Sequence, residues 1–390
     1  MSFSVRSADI DGFGAMVDRA AVHMDHAKSF ADRLPDLKLS ASMSELWGTV
    51  AELHTEHRDK ASTALKAYRR ALVASGAELA KSARYYAETD EKEAASLDAT
   101  YPASKRGPRP QPTLGGAAES GLLFQDAEDP LATFARSGDP HFFERLVMKQ
   151  RVDTLLDNFS VDDGLVFLRE AVGNVLDFSS PSVIINEVIY VFTGQNLLDK
   201  MAQWVTGDWG TFETCAKGWL SLAEFSSSVS KNLKTGNKTL SASWNGNAAD
   251  AAWIYFDSLA KQLEEASATF RELYGHYNKI AEQIAGFVNH LKATASLIMD
   301  LAIMIFLEMI LASKAAASVV GAFMAAAFMA AAAYKAVRIV SLYQNAEIAL
   351  LGLFVTLNAA RQTGTEQLEQ KIREIGAFPL PGKGYDHRAV

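Results

Sequence analysis

Apolar side chains recur every three or four residues over most of this 390-residue chain. In the first stretch Ile10, Phe13, Val17, Ala20, Met24, Ala27, Ala31 and Leu34 keep that spacing, which marks one face of an α-helix, and Ser7 or Asp9 can cap its start. Pro35 and the small polar run that ends at Glu45 break the pattern. It resumes at Ala61, Leu65, Tyr68, Leu72, Ser75, Leu79, Ser82 and Tyr86. The corner of this first hairpin is expected at Leu46-Trp47-Gly48-Thr49. A second pair of arms follows. Phe212, Cys215, Trp219, Leu222, Ser226, Val229 and Leu233 form one seam, and Leu263, Ala266, Phe270, Leu273, Tyr277, Ile280, Ile284, Phe287 and Leu291 form the other. Gly236, Asn237 and Trp244-Asn245-Gly246 lie between them, and Asn and Gly accept the backbone of a tight reversal. Trp244 is expected to plug the open end of this hairpin, with Gly246 letting the backbone pass close to the indole.

The segments between and after the hairpins differ in character. Residues 102–116 hold four prolines with several glycines and no apolar period, which marks a linker. Short helices are expected over 127–195, opened by Asp139-Pro140, by Asp162-Asp163 and by Ser180-Pro181, the last ending at Gly194. Val188–Thr193 also reads as a strand, and helix is preferred because its neighbours are helical. From Ala293 to Ala360 charge nearly vanishes, and Ala315–Tyr334 carries none. That run has the ~20 residues a bilayer span needs, although alanine dominates it. Asp300 and Glu308 interrupt the adjoining run and argue against a permanent span, since a charge at mid-membrane costs about 2.5–3.5 kcal/mol. Three placements fit: a buried bundle helix, a hairpin that inserts conditionally, and a constitutive span, in decreasing order of preference. In the same way Asp300 and Glu308 are either proton-sensitive or paired with Lys314, Lys335 or Arg338, pairing being preferred.

The expected fold is all-α. A helical hairpin over 1–101, a linker over 102–126 and short helices over 127–195 precede a second hairpin over 196–293. An apolar hairpin over 294–362 and a C-terminal tail over 363–390 complete the chain.

The two corners carry a resemblance. Trp244-Asn-Gly-Asn-Ala-Ala-Asp-Ala-Ala252 between two heptad arms, preceded by Val205-Thr-Gly-Asp-Trp-Gly and Trp219-Leu-Ser-Leu-Ala and followed by Tyr255-Phe-Asp-Ser-Leu-Ala, resembles the WXG superfamily. Over 181–300 the likeness is to the export module of actinobacterial type VII (ESX) toxins. Over 1–101 the chain is similar to the EspC-like family of ESX substrates, on Tyr85-Tyr86-Ala-Glu-Thr-Asp90-Glu-Lys-Glu-Ala94. The first corner departs from the pattern, because Gly48 adjoins Trp47. The resemblance implies helical-hairpin architecture, an export signal at Tyr86 and Asp90 read by the secretion ATPase, and docking on a small WXG partner or self-association. Read without it, Trp244 is a core tryptophan, Tyr86 a seam tyrosine and Asp90 a solvated acid; both readings predict the same fold.

Composition narrows function further. The formal net charge of −8 gives no footprint for nucleic acid. The single cysteine, Cys215, sits on a seam and reads as a buried thiol. Met1–Arg6 lacks a charged segment followed by an apolar run, so export is expected without a classical signal peptide, with membrane association left open. No phosphate-binding glycine loop, dinucleotide fingerprint, His-Glu-x-x-His or nucleophile elbow occurs, so a non-enzymatic protein without cofactor is expected. His23, His26, His54 and His57 form a weak metal candidate, since residues 26 and 57 would be level in an antiparallel hairpin.

Overall fold

The computed structural model describes residues 4–35, 37, 44–89, 91–100, 124–136, 181–207, 209–316 and 319–381. Among them the fold is all-α, and the one β-type pairing is an isolated antiparallel bridge between Ser4 and Asn245. The helices are α1 (Ser7–Asp32), α2 (Glu45–Glu88), α3 (Glu91–Ala99), α4 (Ala132–Arg136), α5 (Pro181–Thr193), α6 (Leu197–Gln203), α7 (Trp209–Leu240), α8 (Asn247–Ala315) and α9 (Val319–Ala377).

The heptad seams become the core. α1 packs along α2, and α7 along the first half of α8. Ile10, Phe13, Val17 and Met24 of α1 are buried with Leu65, Tyr68, Leu72 and Leu79 of α2. Phe212, Cys215, Trp219, Leu222 and Leu233 of α7 are buried with Leu263, Phe270, Leu273 and Tyr277 of α8. All belong to one continuous cluster, so the two hairpins share a core. α1 crosses α7 where Gly236 leaves room: a Cβ there would stand 2.6 Å from Met16 Sδ and 2.7 Å from Phe13 Cε2. Gly236 therefore lies inside α7 as a contact point, not in the turn expected for it. Asn237 is likewise helical, and its side chain donates to Trp253 O at 2.9 Å.

Four expectations change. Trp47 and Gly48 are not a corner but the first turn of α2, which Ser44 caps by accepting from Trp47 N at 3.1 Å. The chain therefore reverses before residue 44, where the apolar spacing is absent. The break expected at 293 does not exist, because α8 is one helix of 69 residues, about 104 Å long. Charge falls away there, but the spacing of Leu291, Ala295, Ile298, Ala302 and Ile305 runs on, and spacing rather than polarity sets the helix. For the same reason α9 does not end at 362. Leu357, Leu368 and Ile375 are buried, so residues 363–377 are docked helix and not tail. Finally, the expected linker is docked at its end: Phe124 is buried beside Gly12 and Phe13.

Other expectations stand. Val188–Thr193 is helical, and Gly194 ends α5 with φ +70° and its N–H on Tyr190 O at 2.7 Å. The helices expected from Asp139 and Asp162 lie outside the described residues.

α9 runs back along α8 and reaches α2. Its later half is fastened there: Arg361 pairs with Glu52 and Glu56, both at 2.9 Å, and Lys60 with Glu369 at 2.6 Å. Its first half forms, with the last part of α8, an apolar arm about 37 Å long beyond Leu291. Small residues, Ala295, Ala302, Ala332, Ala336 and Ala346, are buried in the seam between the two helices. Large side chains on the arm's outer face are exposed, 81% at Phe323 and 76% at Tyr334. Glu308 and Lys335 form an ion pair within the arm, so the preferred pairing expectation is realised for Glu308, while Asp300 is exposed.

Candidate functional site

The second corner is where separate parts of the sequence converge. Leu240 ends α7, Ser241 to Ser243 turn, and Trp244 N–H closes the reversal on Leu240 O at 3.0 Å. The indole is buried at the end of the hairpin, as its apolar bulk between two seams requires. Gly246 follows with φ +139°, a backbone that L side chains rarely adopt.

Gly246 offers α8 no side-chain cap, and the cap comes from another helix. Asp98, at the end of α3, accepts Asn247 N–H on Oδ2 at 2.9 Å and Ala248 N–H on Oδ1 at 3.0 Å. Its main-chain oxygen accepts from Asn247 Nδ2 at 3.0 Å. A carboxylate at this end also meets the positive end of the helix dipole. A Cβ on Gly246 would stand 2.9 Å from Asp98 Oδ2, so this glycine makes room for the carboxylate and not, as expected, for the indole.

The N-terminal segment adds a third clamp. Asn245 N–H donates to Ser4 O at 2.7 Å, Ser4 N–H to Asn245 O at 3.3 Å, and Asn245 Nδ2 to Ser4 Oγ at 2.8 Å.

Tyr86 completes the group. It lies in the last turn of α2, with its ring edge-on to Trp244 at 6.0 Å between centroids and to Tyr85 at 5.6 Å. Burial, reinforced by the negative charge of Asp98, pushes its phenol well above the usual tyrosine range, while the neighbouring Trp244 acts in the opposite sense. The hydroxyl is therefore neutral at any physiological pH. Asp90 lies outside the described residues. The structure thus joins residues singled out in sequence, Tyr86, Trp244, Asn245 and Gly246, and adds Asp98 and Ser4, which no local pattern marks.

Trp47 sits elsewhere. It is buried near the start of α2, where a Cβ on Gly207 would come within 2.6 Å of its ring. Ser44 N–H and Oγ–H both donate to Thr206 O, at 3.0 and 2.9 Å. Trp47 and Tyr86 are separated by about 58 Å of α2, so Trp47 lies far from the corner at Trp244.

The four histidines are not brought together. His54 and His57 face inward from α2: His54 Nδ1 meets Tyr277 Oη at 2.9 Å and His57 Nε2 meets Arg361 O at 3.3 Å. His26 is exposed and His23 half-buried on the outer side of α1. Neither register nor face is shared: Asp25 pairs with Arg69 and Gly76 lies against Asp18, so His26 is level with residue 68 rather than His57, and His23 and His26 flank the buried row Ala20, Met24 and Ala27. Among the described residues no group of three or more metal-ligating side chains is assembled. His54 and His57 instead belong to an aromatic layer with Trp219, Tyr277 and Phe212. Burial pulls the His57 imidazole down to about 4. Cys215 is buried, with its Sγ 3.7 Å from Pro35 O.

Two helices, α8 and α9, are long and apolar enough to cross a membrane by length and composition. No protein-family model, curated protein or solved structure matches the chain.

Proposed function

We propose that this chain is a type VII (ESX) secretion substrate, a non-enzymatic helical protein whose export address is composed from both of its hairpins. The observation that carries the reading is the contact between Tyr86 and Trp244. The tyrosine of the signal-like motif packs on the tryptophan of the WXG-like corner, and Asp98 ties the same corner to the segment that follows the motif. The second hairpin covers the first within one chain, taking the place of a small WXG partner. The folded corner then presents one rigid surface to the secretion ATPase.

The test is the amount of protein in culture medium for wild type, Tyr86→Ala and Asp90→Ala, with intracellular folding checked by circular dichroism. Wild type outside the cell, with both variants folded and retained, supports the reading. Wild type retained in the cell overturns it.

A second reading, membrane association through the arm, rests on the exposure of Phe323 and Tyr334. An arm of about 37 Å exceeds the ~30 Å hydrocarbon core. Leakage of liposomes at pH 5 or pH 7 supports it, and intact liposomes at both exclude a lytic action.

A further inference from the structure

Besides the seam it buries against α8, α9 carries a second heptad row on its outer face. Phe323 and Ala327 begin it, and the spacing of four and three continues to Val355. Its large members Phe323, Tyr334, Val337, Ile348, Leu351 and Val355 are between 59% and 81% exposed. A soluble helix with one apolar seam buried has no structural need of another.

We propose that this outer row is an isologous interface with a second copy of the chain, the two α9 helices running antiparallel. The inference is independent of the export reading. From Ala330 to Val355 the row is symmetric about the point between Leu342 and Tyr343, and Phe323 and Ala327 lie beyond the symmetric part. A two-fold axis there brings Tyr334 level with Leu351 of the second copy, Val337 with Ile348 and Ala330 with Val355. Each layer occurs twice, so between residues 330 and 355 every large side chain of the row meets an apolar one on the other helix. The central layer places Ser341 opposite Gln344, a hydroxyl against an amide. A polar layer inside an apolar seam specifies register, because any slip leaves both groups against hydrocarbon. The helices would touch over about 39 Å.

Two further observations favour a protein over lipid. From Val337 onward the row is rimmed by exposed Arg338, Asn345, Glu347 and Thr356. Lipid would have to solvate those groups, whereas a protein interface has an apolar centre and a polar rim. Gly352 also lies beside the row with nothing within 4 Å of where its Cβ would be. An unneeded glycine inside a helix costs about 1 kcal/mol, and here it leaves open space for a second backbone.

Sedimentation equilibrium of the full-length protein at micromolar concentration tests this. Wild type is expected as a dimer. Tyr334→Lys combined with Leu351→Lys should raise the dissociation constant by at least on the order of 100-fold. Helical circular dichroism should be unchanged, since both side chains lie outside the buried core. Disulfide trapping reads the register. A mixture of Val337→Cys and Ile348→Cys proteins should cross-link, and neither should cross-link alone, the native Cys215 being buried. A monomeric wild type, or a dimer indifferent to the double substitution, overturns the proposal. Self-linking of Val337→Cys alone overturns the antiparallel register. A monomer that floats with phosphatidylcholine vesicles assigns the face to lipid instead.

Discussion

The imidazole of His57 lies against the bare backbone of Gly364: a Cβ at that glycine would stand 2.6 Å from both Cε1 and Nε2. One turn earlier, Arg361 O accepts from the same ring at 3.3 Å. The docking of α9 on α2 thus depends on an absent methyl group beside a buried histidine. Gly364→Ala should therefore destabilise, despite alanine's helix propensity, by about 1–3 kcal/mol of overpacking. Gly275→Ala is the control. Nothing lies within 4 Å of that position, so it should gain up to about 1 kcal/mol. Urea unfolding of the two variants checks both signs, and equal effects would contradict the close contact.

The same histidine sets a pH dependence. Its folded pKa, about 4, lies below its unfolded value of 6.5, so the unfolded chain binds more protons between them. Stability is complete above pH 6.5 and falls as pH drops toward 4, by roughly 2 kcal/mol between pH 7 and pH 5. Glu56, His276 and Arg361 surround the ring: the Arg361 carbonyl and Glu56 favour the charged form, and His276 and the Arg361 guanidinium oppose it. His23 and His276 are lowered by burial too and add in the same sense. His57→Gln should make the melting temperature less dependent on pH over this window. An unchanged slope would remove His57 as the cause.

At the second corner the cap and the glycine are separable. Asp98→Ala removes acceptors for the first α8 amides and should cost about 1 kcal/mol. Gly246→Ala forces a side chain into positive φ as well as against the Asp98 carboxylate, and should cost about 1–3 kcal/mol. Hydrogen exchange at Asn247 and Ala248 should accelerate in both variants. The double variant should fall short of the sum, because the two residues share one contact.

Glu308 and Lys335 are an ion pair in a largely apolar arm, each mostly buried. Lys335→Leu alone strands a carboxylate and should destabilise the arm. Glu308→Leu with Lys335→Leu should recover that loss or exceed it, since apolar replacement of a buried pair is commonly neutral or favourable. A double-mutant cycle by thermal unfolding measures the coupling.

Much of this fold was legible because spacing at three and four residues is a local property. The seam residues of α1, α2, α7 and α8 named from the sequence are buried almost without exception. What escaped were features set by partners distant in sequence. Gly236 reads as a turn residue until α1 is known to cross there. Asp98 reads as one acid among several until it meets α8, 149 residues away. The histidines had neither the register nor the face, because α2 reaches past the end of α1 and residue 57 has no level partner on that helix. The boundaries at 293 and 362 followed composition, which tracks solvent or lipid contact, while the helix itself followed spacing. The meeting of Tyr86 with Trp244 had local marks on each residue and none on the pair.

The continuity of α8 has a mechanical meaning. A single helix of 69 residues joins the clamped corner at Asn247 to the tip of the arm, with no glycine turn or proline between them. Such a rod is a lever with its longer part, about 67 Å, set in the bundle. A tilt of about 5° where the arm leaves the bundle sweeps a tip ~37 Å away through roughly 3 Å. Conversely, a load on the arm arrives at Asp98 and Trp244 undiminished by any joint, so whatever grips one end acts on the other.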